Sequence, residues 1–426
     1  MRVFLGLGDT GGMYSRLEEG LRHLGVECEL IDAFPMRDYP RSHRPGWLGR
    51  LVESLGRKRW NAPRASAARI MWQGLQGLSL LALLVRSLWK FDVFIFAGGV
   101  SFLRGYDLPL FSWFGKRVIV VYHGSDCRPP YINGAYVGAD VELDIPGCLR
   151  LTRQIYDWVR WVDSHANVVV NHPYATHFNR APVVSWLSIG NPYKCGPLPP
   201  PRARTGACVI VHAPTRPIPK GSVEIEAAIN RLKARGHELT FVKIVGRPPA
   251  EVLEAIAGCD FVVDELYSDT PVAAFATEAA AMGKATVVGM YDPDTLRSTV
   301  SPGAFPPSLV CRPEGLEAAI EKLVVDVTYR DQLGLDAYNY VRTHWDRDVV
   351  AGRYLRLAGG EVPEAWTFDP MNVRYVHGWG LHESRLKDVI AAVVSHGGFE
   401  ALRVSDKPEL LREFRELIAD HTARRN

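Results

Sequence analysis

Cysteine is scarce in this sequence and net charge is nearly absent. Seven cysteines occur in 426 residues, and none stands in a Cys-x-x-Cys pair. An odd number without that spacing suggests neither a disulfide framework nor a zinc ribbon. The cysteines lie mostly beside apolar runs and read as small core residues. Fifty Lys+Arg against 47 Asp+Glu leave a formal charge of +3, too little for a general nucleic-acid binder. A composition of 47% hydrophobic and 23% charged residues excludes disorder. No secretory leader is expected, because Met1 runs straight into the strand-like RVFLGLG. No metal site is expected either: His172 and His177, the nearest approach to one, are five apart with Pro173 between them. The longest apolar stretch, 70–91, is broken by Gln73, Gln76 and Arg86, and falls short of a membrane span. These absences point to a cytoplasmic protein in a reducing compartment.

What is present is a repeated alternation of short apolar runs and amphipathic segments. Residues 2–8 read as a strand, 11–25 as a helix with Leu17, Leu21 and Leu24 on one face, and 26–32 as a second strand. Further strands are expected at 91–97, 117–122 and 167–171, with a helix at about 148–166. Residues 190–206 hold five prolines, which neither a helix interior nor a ladder accepts, so they read as a linker. The pattern then restarts with strands at 208–213, 238–246, 260–264 and 285–290 and helices at 222–235, 248–258 and 271–283. The expected organisation is an α/β chain of two Rossmann-like doubly wound domains, 1–190 and 207–345. A hinge at 191–206 joins them, and 346–426 forms closing helices and a C-terminal extension. Open α/β sheets bind ligands beyond the carboxyl ends of their strands, so two such sheets place a ligand in the cleft between them.

Four segments at such strand ends carry candidate chemistry. Gly11 and Gly12 open the first helix and let backbone amides approach a phosphate. They equally suit a plain turn. The dinucleotide fingerprint fits poorly, because Gly6 and Gly8 lie in or near the strand end and Asp9 would stand beside the pyrophosphate; Asp32 is the acidic residue it would need. In HAPTRPIPKG (212–221), Arg216 and Lys220 precede a helix and could clamp a diphosphate, or be solvated loop cations. Glu278 lies in a small, apolar helix, where a carboxylate is costly unless it is exposed or hydrogen-bonded; neighbouring ligand hydroxyls would satisfy it. His123 opens HGSD (123–126) directly after a strand, placed to bond a sugar hydroxyl, handle a proton, or simply pack.

The second half resembles the donor-binding domain of the large retaining family of GT-B glycosyltransferases. The likeness spans about 208–345: the Arg216/Lys220 turn, the acidic strand end CDFVVDE (259–265), and Glu278 to Val287 as Glu-Ala-x-Ala-x-Gly-Lys-x-x-Val. The first half is similar through Gly11-Gly12 and His123 to Asp126, and HWDRDVVAGRYLRL (344–357) resembles the family's closing helices. The resemblance implies a metal-independent hexosyltransferase that needs no cofactor and takes a nucleotide-diphosphate sugar as donor, with retention of configuration. It implies that Arg216 and Lys220 hold the diphosphate, Glu278 the ribose, Gly12 the β-phosphate and His123 the sugar. The family often has a glutamate eight positions before Glu278; here Thr270 stands there, with Asp269 adjacent. That departure keeps open a catalytically silent GT-B-like binding protein, and a sugar-nucleotide epimerase is a further alternative.

Acceptor recognition is expected in 37–115 and in the 127–136 loop, with Asp126, Arg128 and Tyr131 as contacts, the tyrosine stacking on a sugar or apolar aglycone. Residues 37–69 carry nine arginines and lysines against only Asp38 and Glu53, a local charge of +7. The tryptophan-bearing stretch 70–91 follows. Such a pair reads as a surface loop before a buried helix, or as a peripheral membrane contact through 37–91 suited to an anionic or lipid-linked acceptor.

Overall fold

In the computed structural model, residues 1–34, 41–199 and 206–423 are described. The sequence-stated Arg37 and Asp38, and the Pro-rich 200–205, lie outside them.

The first half is a sheet of seven strands, β1 (Arg2–Leu7), β2 (Glu27–Asp32), β3 (Val93–Ala97), β4 (Arg117–Val121), β5 (Val168–Asn171), β6 (Val183–Ser185) and the late β12 (Thr367–Phe368), ordered β2-β1-β3-β4-β5-β6-β12. Every neighbour is parallel except β12. The second half holds β7 (Cys208–His212), β8 (Leu239–Lys243), β9 (Phe261–Val263), β10 (Ala285–Gly289) and β11 (Leu309–Cys311), ordered β8-β7-β9-β10-β11 and all parallel. Runs such as VFIFA in β3 and FVV in β9 are buried throughout, as parallel strands covered on both faces must be. In each sheet the first strand lies between the second and third, so the direction of winding reverses beside it. Those reversal points, β1/β3 and β7/β9, are where open α/β sheets leave a crevice. Two Rossmann-like halves facing one cleft are the GT-B arrangement.

Helix α1 (Met13–His23) follows β1. Gly11 and Gly12 precede it at φ 62° and 71°, a left-handed turn that favours glycine. The expected basic segment contains a second helix, α2 (Trp47–Asn61), which packs antiparallel to α3 (Ala67–Lys90) as a hairpin. Ser66 caps α3 by accepting from the amide of Arg69 at 3.2 Å.

The chain after 346 returns to the first half. Helix Arg347–Gly359 lies on α1, where Gly20 permits close approach: a Cβ there would meet the Arg347 carbonyl at 2.5 Å. After β12 the strap 373–382 enters the cleft and bonds both halves. Its Trp379 carbonyl accepts from Gly134 N–H at 2.7 Å and its Gly380 amide donates to the Tyr267 carbonyl at 2.8 Å. Helices Glu383–Gly397 and Pro408–Ala423 then pack against the first half. Lys407 pins this region by donating to the carbonyls of Thr176, Asn179 and Pro370 at 3.0, 2.7 and 3.0 Å.

Candidate active site in the cleft

A cavity of about 300 Å³ opens between the halves. The turn after β1 contributes Gly11 and helix α1 contributes Arg16, the loop after β4 contributes Tyr122, His123 and Arg128, and β5 leads to His172. From the second half come Glu265, Asp269 and Thr270, with Trp379 of the strap beside them. Four polar atoms here are buried without a hydrogen-bond partner: Tyr122 Oη, Arg128 Nε, His172 Nε2 and Thr270 Oγ1. Such atoms cost free energy unless a ligand or water satisfies them.

His123 reaches the cavity as expected. Its Nε2 lies 3.1 Å from Tyr14 Oη, and its amide donates to Asp126 Oδ2 at 3.0 Å. Burial pushes the imidazole down to about 4, so at neutral pH it is uncharged and suited to bonding a hydroxyl rather than to giving up a proton as an acid. Burial likewise pushes Asp126 up to about 6.

Several expected roles change. Lys220 is buried and donates to Asp264 Oδ1 at 3.0 Å and Glu265 Oε1 at 2.8 Å. Burial alone would lower its pKa, but the two carboxylates outweigh that and hold it above the usual range. Its charge is spent tying the turn before helix Ser222–Ala234 to the end of β9, and it does not line the cavity. Arg216 stands away from the cavity wall: its guanidinium donates to the Ala135 carbonyl at 3.0 Å and to Asp140 Oδ2 at 3.2 Å, spanning the two halves. Arg128, expected to meet an acceptor, forms a buried ion pair with Asp269 across the cleft. Tyr131 is fully buried, donates its hydroxyl to the Leu402 carbonyl at 2.8 Å and packs on Phe414, so it cannot stack on an acceptor. Gly12 adjoins the cavity through Gly11 and Met13, but Asp9 accepts the Tyr14 amide at 2.9 Å, and that end of α1 is partly capped from within. His172 and His177 serve the cavity and the core respectively: His172 Nδ1 accepts from the Tyr174 amide at 3.2 Å, and His177 Nε2 donates to the Tyr375 carbonyl at 2.7 Å.

Arg16 was not anticipated. It lies one turn into α1, lines the cavity, and is held by the carbonyls of Pro192 and Gly11 at 2.6 and 3.0 Å and by the Tyr193 ring at 5.0 Å. A cation in the first turn after a glycine pair was its sequence signal. Trp379 had none, being more than a hundred residues from the loops it joins; its Nε1 donates to Glu265 Oε2 at 2.5 Å.

Glu278 sits one turn beyond the cavity-lining Ala274 in helix Ala274–Ala280. Burial pushes it up to about 7, against the opposing charge of Arg16. Between its ordinary 4.5 and about 7, the folded chain holds a proton that the unfolded chain releases. Stability therefore falls as pH rises through that window, by roughly 3 kcal/mol in all. Glu278→Gln is expected to flatten that slope and to melt higher than the parent above about pH 7; equal melting on both sides of that pH would contradict it.

No family model and no curated protein matches the chain. Among solved structures it is similar to HepE of Anabaena in complex with UDP and glucose, at 12% identity, 84% of this chain, 98% of that chain and a TM-score of 0.46. It is also similar to OtsA in an apo structure, at 10% identity, 85% and 100% coverage and a TM-score of 0.49. The glycosyltransferase SnogD from Streptomyces nogalater matches at 14% identity, 84% and 100% coverage and a TM-score of 0.41. Likeness this remote carries no weight for chemistry.

Proposed function

We propose that the protein is a nucleotide-sugar-dependent hexosyltransferase that binds its donor in the inter-domain cleft. The observation that carries this is the set of four unpartnered polar atoms, Tyr122 Oη, Arg128 Nε, His172 Nε2 and Thr270 Oγ1, on residues that line one cavity at the strand ends of two doubly wound sheets. A hydroxyl-rich ligand would satisfy such donors and acceptors, where an apolar one would leave them orphaned. Arg16 at the head of α1, which lines the cavity where Lys220 does not, takes the phosphate-facing role. Neutral His123 bonds a sugar hydroxyl, and Glu278 faces the ribose. In the transfer, the acceptor hydroxyl attacks the anomeric carbon, the bond to the diphosphate breaks, and the leaving phosphate takes the hydroxyl proton on the same face. Configuration is thereby retained without an enzyme nucleophile. The chain's part is charge stabilisation and positioning. The acceptor is unidentified, and the basic segment 41–69 would suit an anionic or lipid-linked one. The scarcity of cysteine and the lack of a Cys-x-x-Cys pair support a reducing, cytoplasmic location.

A second reading has its own support. The Lys220–Asp264–Glu265 and Arg128–Asp269 clusters neutralise internally the cations that would stabilise charge developing on a leaving diphosphate, which favours a catalytically silent protein that holds a sugar nucleotide through Arg16 and the polar cavity wall. Thermal melting against UDP, GDP, ADP, CDP and dTDP and their sugars tests both. A diphosphate at about a hundred times its Kd adds roughly 2.7 kcal/mol of stability. A clear upward shift with one of them is expected, and no shift with any overturns both readings. Donor hydrolysis without acceptor then separates the transferase from the silent binder.

A further inference from the structure

Helix α3 is apolar on the wrong side. Its inner face packs on the sheet through Leu80, Leu83, Leu84 and Leu88. Its outer face is just as apolar: Ile70, Leu78, Val85 and Trp89 are 74%, 67%, 58% and 77% exposed, joined by Met71, Leu75 and Leu81. Positions 71, 75, 78, 82, 85 and 89 recur at alternating steps of four and three, one continuous helical stripe, and hold Met, Leu, Leu, Ala, Val and Trp. A core helix of this hydropathy is ordinarily covered, whereas only 28% of its apolar window is buried here. Past the end of α3, Trp113 adds an indole that is 80% exposed, and Trp89 and Phe114 contact edge to face at 6.5 Å.

The charge of the hairpin itself is almost all of one sign, although Arg86 and Lys90 pair with Glu29 and Glu27 of β2 and Arg41 with Asp32. Residues 41–90 hold ten arginines and lysines against a single carboxylate, Glu53, which is buried and ion-paired to Arg41 at 2.6 Å. Arg44, Arg50, Arg57, Lys58 and Arg64 of α2 and its flanks are exposed. Burial and the like charges of Arg104 and Arg69 push Arg59 below its usual range, as in a cationic cluster awaiting an anion. Exposed tryptophans at Trp47 and Trp60 stand among these cations. Apolar stripe, indole rings and flanking cations are what an interfacial helix presents to acyl chains, the headgroup layer and anionic headgroups respectively.

We propose that the α2–α3 hairpin is a membrane-docking surface that lays the outer stripe of α3 onto an anionic bilayer. The helix lies on the membrane rather than crossing it, since its other face is built into the domain core. The proposal stands apart from the transferase reading, because none of these residues lines the cleft cavity.

Flotation of the full chain with phosphatidylglycerol-containing or phosphatidylcholine-only vesicles tests it. Binding to the anionic vesicles and little to the neutral ones is expected. Arg50→Gln, Arg57→Gln and Lys58→Gln together are expected to lower partitioning by about a hundredfold. Leu78→Glu with Val85→Glu is expected to abolish it without changing melting, because both side chains point to solvent. Failure of the parent chain to float with anionic vesicles overturns the proposal, as does equal binding to neutral vesicles or undiminished binding by both variants. A parent dimer in sedimentation that Leu78→Glu dissociates, with no vesicle binding, overturns it in favour of a contact between two copies. Nucleotide-induced melting shifts are unaffected by either result.

Discussion

Lys220→Ala is expected to cost about 3–5 kcal/mol of folding free energy, because it leaves two buried carboxylates without their counter-charge. Asp264 and Glu265 are almost fully buried and meet the same ammonium at 3.0 and 2.8 Å. Burial already pushes Asp264 up, with Lys220 pulling against it. Removing the lysine would leave a site that must protonate a carboxylate or open to water. Equilibrium urea unfolding measures the loss. Lys220→Met combined with Asp264→Asn and Glu265→Gln removes every charge at once and is expected to recover much of it, since a buried pair replaced as a whole is often nearly neutral. A loss under about 1 kcal/mol for Lys220→Ala, with nucleotide binding gone, would instead mean that the lysine serves the ligand and not the fold.

Asp269→Ala is the second large expectation, again about 3–5 kcal/mol. Arg128 is buried, its Nε is already unpartnered, and Trp379 lies 6.0 Å from its guanidinium. Without Asp269 its charge would sit in the cleft uncompensated. The two residues belong to different halves, so the pair also fastens the cleft. A double-mutant cycle of Arg128→Met and Asp269→Leu is expected to show coupling of about 1–3 kcal/mol. Additive losses would mean that the two side chains act independently. If a donor phosphate competes for Arg128, Asp269→Asn at retained fold is expected to tighten nucleotide binding, which the same melting series reads.

Much of the frame was legible along the chain. Strands such as VFIFA and ATVVG announce themselves because a strand covered on both faces is a continuous apolar run. The glycine pair before α1 and the strand-end position of His123 follow from the same local logic. Shorter or later elements escaped it: β6 and β11 have only three residues, and β12 has two. The α2 helix was hidden inside what reads as a charge run. The basic segment beside an apolar helix was visible as composition, yet the same composition describes a buried helix.

Local pattern therefore determined the two α/β halves, the succession of strands and helices along the chain and the loops that follow the strands, since burial periodicity and turn chemistry act between near neighbours; the order of strands within each sheet came only with the tertiary structure. Which cations remain free in the cleft was likewise decided only by tertiary structure. Lys220 meets Asp264 across 44 residues and Arg128 meets Asp269 across 141; Trp379 reaches Glu265 across 114. A charge in a low-dielectric cleft is governed by its nearest counter-charge in space. The outer face of α3 obeys the same division: its sequence makes it apolar, and only packing leaves that face uncovered.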